Sequence, residues 1–175
     1  NFYPLDLTGL YQVKNLRTVL TAIDVLKNKY SFHQEKIQYA LSHVKVMTGL
    51  HGRWEIIHRK PMVVLDVAHN IDGIQQLAVQ IKKSTYKNLH MVFGIVKDKE
   101  IEKVLEILPK EATYYFTRAQ IPRALPENEL LERARKFHLN GSSYPEVNEA
   151  LKAAMDRAYD DDMIVRPFLH KMQAT

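Results

Sequence analysis

An aspartate, a histidine and an asparagine follow one another closely at the end of an apolar run. They are Asp66, His69 and Asn70 in "VVLDVAHNIDGIQQL", which runs from Val63 to Leu77. A carboxylate at such a place can accept hydrogen bonds from paired hydroxyls, as on a ribose. An amphipathic segment opens near Asn70, so His69 and Asn70 fall at a helix N-terminus. Unpaired N–H groups and the helix dipole favour an anion there. The spacing therefore points to a polar, partly anionic ligand. It also permits a plainer reading, in which Asp66 and Asn70 cap turns and His69 is a surface histidine.

Other chemistries lack their residues. There is no cysteine, which removes disulfides, thiolate catalysis and Cys-based zinc sites and fits a cytoplasmic protein. The eight histidines show no H-E-x-x-H or other tight metal spacing. Neither G-x-x-x-x-G-K-[ST] nor G-x-G-x-x-G occurs, so this chain cannot cradle a triphosphate in a P-loop. Tyr114 and Tyr115 read as strand packing rather than a base-stacking platform.

The candidate residues need elements to hold them. Leu16, Val19, Leu20, Ile23 and Leu26 fall at helical spacing between Asn15 and Leu26. A second helix is expected in "FHQEKIQYALSHV", with Ile37, Leu41 and Val44 on one face. "MTGLHG" then reads as a connector. From Arg53 the pattern changes. "WEIIH" and "MVVLDVA" are short and β-rich, and Lys60-Pro61 between them favours a turn. A helix from Asn70 carries Ile71, Ile74, Leu77, Ala78 and Ile81. "LHMVFGIV" reads as a buried strand. "DKEIEKVLEIL" reads as a helix with Asp98 as N-cap. "ATYYFT" is a strand, "PENELLERARKF" and "YPEVNEALKAAMDRA" are helices, and "DMIV" is a last strand. Strands alternating with helices predict an α/β fold, a mostly parallel sheet with helices on both faces. A short helical segment precedes it, and the boundary falls near Gly49–Gly52. Ligands of such sheets bind outside the carboxyl ends of the strands, where "DVAHN" leaves its strand.

The 175 residues, 46% hydrophobic and 26% charged, suit one globular domain or a domain plus part of another. No apolar run approaches the ~20 residues that cross a bilayer. The net charge of +5 is spread along the chain and interleaved with acids, as in "VKDKEIEKVLEILPKE". Most of these charges read as solvated helix faces, so neither a nucleic acid nor a membrane is expected as partner. The excess can still favour an anionic substrate.

"HGRWEIIHRKPMVVLDVAHNIDGI" resembles the start of the C-terminal domain of the folylpolyglutamate and dihydrofolate synthases, a branch of the Mur ligase superfamily with a Rossmann-like C-terminal domain. "VFGIVKDKEIEKVL" and "YYFTRAQIPRAL" agree with later family segments in order. "LTGLYQVKNLRTVLTAIDVL" is similar to the end of the family's ATPase domain, where a Gln-x-x-Asn opens a helix. The resemblance implies that residues 1–50 are the tail of an ATPase domain and residues 51–175 a glutamate ligase domain. It implies an ATP-dependent ligase: ATP phosphorylates a carboxylate, the amine of L-glutamate attacks the acyl phosphate, and phosphate leaves. By that similarity Asn15 touches adenine, Arg53 the nucleotide and Asp66 the ribose. His69, as catalytic residue, and Asn70 lie near the incoming glutamate, with Arg123 of "IPRA" as a further glutamate contact. The acceptor would be folate or dihydropteroate, and the enzyme a cytoplasmic monomer. The phosphate loop and the Mg2+ ligands belong to the family's N-terminal ATPase domain, the expected partner of this chain, which alone should be inactive.

The chain departs from the family pattern at Val67, where Gly is usual, and at Ile71, where Pro or similar is usual. It departs again at its end, "RPFLHKMQAT", where the family has a Gly-Ser turn and places a glutamate contact. Two alternatives stand beside the ligase: a non-catalytic α/β binding module, and a peptidoglycan-type Mur ligase C-terminal domain.

Overall fold

The computed structural model describes residues 2–97, 100–118 and 121–167. The expected cap Asp98 and the segment Phe168–Thr175 lie outside the described residues. The chain divides into two compact units, Asn1–Glu55 and Ile56–Thr175.

The first unit holds three helices: α1 (Gln12–Leu26), α2 (Gln34–Ser42) and α3 (Val44–Thr48). α1 begins ahead of Asn15, at Gln12, which is buried and accepts from Asn15 Nδ2 at 2.7 Å. The single second helix expected from the sequence is broken at His43, so Val44 opens α3 instead of continuing α2. The long N-terminal segment is tied down by polar contacts. Asp6 N–H donates to Leu41 O, and Asp6 Oδ2 accepts from Lys45 N–H at 2.9 Å.

The second unit is built on a six-stranded sheet. Its strands are β1 (Glu55–Arg59), β2 (Met62–Asp66), β3 (Leu89–Phe93), β4 (Thr113–Thr117), β5 (Asn140–Tyr144) and β6 (Met163–Pro167). The order is β1-β2-β6-β3-β4-β5. The pairs β2–β6, β6–β3, β3–β4 and β4–β5 are all parallel. β1 joins β2 through the two residues Lys60 and Pro61. The mostly parallel α/β fold is therefore the one that the alternating pattern predicts.

Among the described residues four helices cover the sheet: α4 (Ile71–Lys82), α5 (Ile101–Ile107), α6 (Glu127–Arg135) and α7 (Val147–Arg157). The crossovers through α4, α5 and α6 all step towards β5, whereas α7 steps back from β5 to β6. Parallel crossovers are right-handed, so the two directions place α7 on the face opposite the other three. The core agrees. Val63, Val92, Tyr115 and Ile164 pack with Ala150 and Ala154 of α7. Their neighbours Val64, Met91, Tyr114, Phe116 and Val165 alternate to the other face and are equally buried. Tyr114 donates to Pro109 O at 2.7 Å, so both tyrosines pack inside the unit.

β5 has no counterpart among the expected strands. Its residues, "NGSSY", are exposed or half-buried, because it is an edge strand and has no apolar run. Gly141 is what lets it pair. A Cβ there would lie 2.0 Å from Tyr114 O, so no other residue fits against β4.

A buried polar lock closes the amino edge. Asp162, 2% exposed, precedes β6. Its Oδ1 accepts from Asn88 N–H at 3.0 Å and Asn88 Nδ2 at 2.8 Å, and its Oδ2 from Tyr159 N–H at 2.9 Å. His90 Nε2 lies 3.4 Å from the same Oδ2, and His90 Nδ1 lies 3.1 Å from Tyr115 OH. With Nε2–H donating to the carboxylate, Nδ1 is left to accept the phenol proton. Burial alone would raise the Asp162 pKa, but the donors from Tyr159, Asn88 and His90 outweigh it and hold the carboxyl below its ordinary range.

Two predictions follow from this packing. A carboxyl whose pKa is depressed by folding contributes stability above its unfolded pKa of ~3.9 and loses it as pH falls through the lower folded value. Asp162→Asn should therefore cost about 2 kcal/mol at pH ~7, as for a hydrogen-bonded charge, and distinctly less at pH ~3. Urea unfolding at the two pH values measures this, and an equal cost at both would remove the charge from the account. The second concerns Thr117, at the carboxyl end of β4, which is 3% exposed and whose Oγ1 is buried without a hydrogen-bond partner among the described residues. Thr117→Val replaces that hydroxyl by a methyl group of similar size and should be neutral or stabilise by up to about 1 kcal/mol. A loss of more than about 1 kcal/mol in the same urea assay would mean that the hydroxyl is satisfied.

Candidate functional site

Because the paired strands run parallel, the connections after β2, β3 and β4 all emerge on one edge. Asp66 is the last residue of β2. It is 3% exposed, and its Oδ1 accepts from Ala68 N–H at 2.9 Å. That bond folds the chain into a turn two residues on and orients the carboxylate at the sheet edge. Asn70 is the N-cap of α4: its backbone is extended, and its Oδ1 accepts from Gly73 N–H at 2.7 Å. The capping roles that the plainer reading gives to Asp66 and Asn70 are thus present in the structure.

His69 lies between them and is exposed. Its Nδ1 is 2.9 Å from Val67 O. A carbonyl only accepts, so Nδ1 carries the proton, and in the neutral ring Nε2 is the acceptor. Val67 therefore contributes its backbone oxygen to fix the imidazole, which needs no particular side chain at that position.

Arg123 reaches the same edge by a different route. The segment after β4 folds against the segment after β3 through an antiparallel bridge between Val96 and Ala124. Lys97 N–H donates to Arg123 O and Leu125 N–H to Ile95 O, both at 2.8 Å. Gly94 allows the close exit from the sheet, since a Cβ there would sit 2.5 Å from Thr117 O. Arg123 is exposed and makes no ion pair with a described residue. Arg118, nearby in sequence, lies 3.6 Å through its Nε from Glu127 Oε2. β2 and β4 are separated by β6 and β3, so the Asp66 turn and the Arg123 segment are rooted roughly 14 Å apart. Lys97 is the residue that the sequence reading passes over. It looks like part of a solvated helix face, yet it lies before α5, in the bridge.

Asn15 and Arg53 belong to the first unit. The Asn15 amide is engaged with Gln12. Arg53 is half-buried and has no ion pair among the described residues. It stands between Gly52 and Trp54, both in the left-handed region at φ 72° and 54°. The turn is held by Glu55, which accepts from Gly52 N–H at 2.8 Å and lies 3.0 Å from His51 Nδ1. Burial would raise the Glu55 pKa, but those donors and the nearby Lys45 ammonium outweigh it and lower the value. Among the described residues, no group of three or more His, Cys, Asp or Glu could hold a metal ion, so no Mg2+ ligand is assigned to them. No described helix is long and apolar enough to cross a membrane.

Comparison with known proteins matches this arrangement to a family. Residues 52–166 match the family described as Mur ligase, glutamate ligase domain. The probable bifunctional folylpolyglutamate synthase/dihydropteroate synthase of Haloferax volcanii is 36% identical over 107 residues, which cover 61% of this chain and 12% of that protein. The dihydrofolate synthase/folylpolyglutamate synthase of Escherichia coli K12 is 33% identical over 120 residues, covering 66% of this chain and 27% of that one. The solved structure of E. coli FolC in complex with ADP, without folate substrate, superposes with a TM-score of 0.71 at 26% identity, over 84% of this chain and 34% of that one. The chain thus spans about a third or less of these relatives. It belongs to the Mur ligase family through its glutamate ligase domain, and within that family it resembles the C-terminal part of the folylpolyglutamate and dihydrofolate synthases.

Proposed function

We propose that the chain is the C-terminal portion of an ATP-dependent ligase that adds L-glutamate to folate or dihydropteroate through an acyl phosphate. The observation that carries the reading is the turn from Asp66 to Asn70 at the carboxyl edge of a Mur ligase glutamate ligase domain. On this reading residues 1–50 end an ATPase domain whose remainder supplies the phosphate loop and holds Mg2+. The enzyme would be a cytoplasmic monomer.

The residues of this chain bind and orient. Asn15 holds the adenine, and Arg53, always charged, holds the nucleotide by charge-assisted bonds. Asp66, oriented by Ala68 N–H, accepts from the ribose hydroxyls. Arg123 and Asn70 position L-glutamate. His69, with Nδ1 committed to Val67 O, presents Nε2 as an acceptor for an N–H of the glutamate amine. The amine nitrogen then forms the new C–N bond at the acyl carbon, its surplus proton passes to His69 Nε2, the C–O bond to phosphate breaks, and phosphate leaves with the electron pair.

The 175-residue chain alone should show no glutamate-dependent ATP hydrolysis, because the chemistry needs the phosphate loop. Turnover by the purified chain would contradict the division of labour. In the protein carrying its ATPase domain, Asp66→Ala should weaken ATP by about 1–3 kcal/mol, the cost of leaving ribose hydroxyls unpaired. Asp66→Asn keeps an acceptor for Ala68 N–H and separates that loss from damage to the turn. His69→Ala should act on the glutamate KM or on kcat. Steady-state kinetics with ATP and glutamate varied separately decide between these roles. Two variants that both weaken ATP alone would remove His69 from the glutamate site. No change in either constant would leave the whole turn as helix-end structure.

A further inference from the structure

Arg53 stands in a turn whose backbone needs holding. Gly52 and Trp54, on either side of it, lie in the left-handed region at φ 72° and 54°. Glycine enters that region freely, whereas a bulky residue there is strained. Trp54 is 5% exposed, and its carbonyl accepts from Thr8 Oγ1 at 2.8 Å. The second restraint is the Glu55 carboxylate. Its Oε2 accepts from Gly52 N–H at 2.8 Å. Its Oε1 lies 3.0 Å from His51 Nδ1 and 3.8 Å from Lys45 Nζ. Lys45 is itself anchored, because its N–H donates to Asp6 Oδ2.

The partners that Glu55 takes are informative. Arg53 is close in sequence and has the planar fork best suited to grip a carboxylate. Glu55 does not pair with it. Its two oxygens go to Gly52, His51 and Lys45 instead. An acid kept only to neutralise the arginine would do the reverse. The Glu55 side chain is 15% exposed, so it serves the turn rather than solvent. Burial would raise its pKa, but those same partners hold it below the ordinary range, so the group that closes the turn is a charged carboxylate at neutral pH.

We propose that Glu55 is a positioning residue for the nucleotide, its carboxylate fixing the turn around Arg53 in the conformation from which Arg53 meets that ligand. This deepens the ligase reading and rests on it for the role of Arg53. Glu55 itself does not touch the nucleotide, which a bare carboxylate at contact distance would repel. It acts by preorganisation. A long cationic side chain loses rotamer freedom when it binds, and a fixed backbone beneath it reduces the number of arrangements that must be given up. Without the carboxylate the left-handed Trp54 loses a restraint. The turn then relaxes towards commoner backbone conformations, which carry Arg53 elsewhere.

The test is a double-mutant cycle in the protein carrying its ATPase domain, with ADP affinity read by calorimetry. Arg53→Ala should weaken ADP by about tenfold, the loss of one charge-assisted contact. Glu55→Ala should weaken it by about fivefold although it removes no ligand contact. The double variant should match Arg53→Ala within about twofold, because Glu55 acts through Arg53. Glu55→Gln keeps an acceptor for Gly52 N–H and should recover part of the loss. It carries the same cycle if Glu55→Ala does not fold. A purely structural Glu55 behaves otherwise. Its removal lowers the melting temperature and leaves ADP affinity unchanged, or weakens ADP as much in Arg53→Ala as in the unaltered protein. Either result would overturn the positioning role, as would normal ADP binding by Arg53→Ala. The ligase reading fails separately. If the cycle comes out as expected but glutamate-dependent turnover is absent, the positioning role stands and the ligase reading falls. If turnover is present and Arg53→Ala raises the ATP KM while Glu55→Ala leaves it unchanged, the positioning role falls alone.

Discussion

Parallel pairing of β2, β6, β3, β4 and β5 forces the connections that follow β2, β3 and β4 out of the same edge of the sheet. Residues far apart in the chain are thereby brought to one edge. The rest of the molecule serves this constraint. Apolar strands buried on both faces hold the sheet in register, and the reversal of direction at α7 covers the second face. β6 lies between β2 and β3, so the Asp66 turn and the Lys97–Arg123 bridge emerge apart rather than side by side. The space between them is where a ligand of this fold belongs.

The two edges hold their polar residues in different ways. At the amino edge Asp162, Asn88, His90 and Tyr115 satisfy one another in the interior. Such a network rigidifies the strand starts and leaves little for a ligand to bind. At the carboxyl edge the polar groups are oriented, with His69 and Asn70 exposed and Asp66 buried. Asp66 and Asn70 each spend an oxygen on the backbone, and His69 spends a ring proton on Val67 O. The observed capping role therefore does not conflict with the proposed binding role. A carboxylate fixed by its own turn is already oriented when a hydroxyl arrives.

Much of this was legible in the sequence, for identifiable reasons. β2, β3, β4 and β6 lie inside the sheet, so their apolar runs stand out, and Asp66, His69 and Asn70 sit within one short stretch. β5 is an edge strand whose partner demands Gly141 rather than a hydrophobic residue, and no pattern announces it. The break between α2 and α3 falls at His43, with neither Gly nor Pro to mark it. Its ring stacks on Tyr39 at 4.2 Å between centroids, a contact within the helix that periodicity cannot reveal. Lys97 and Arg123 are joined only by a backbone bond between two loops. A lysine in a run of alternating charges looks like any solvated lysine until its neighbour across the ribbon is known.

Hydrogen–deuterium exchange of the chain, with and without L-glutamate and ATP together, tests the central division most directly. The account predicts slower exchange on ligand addition at residues 66–73, 94–97 and 121–125, with 87–90 and 159–163 unchanged. Protection confined to the amino edge, or none at the carboxyl edge, would contradict it.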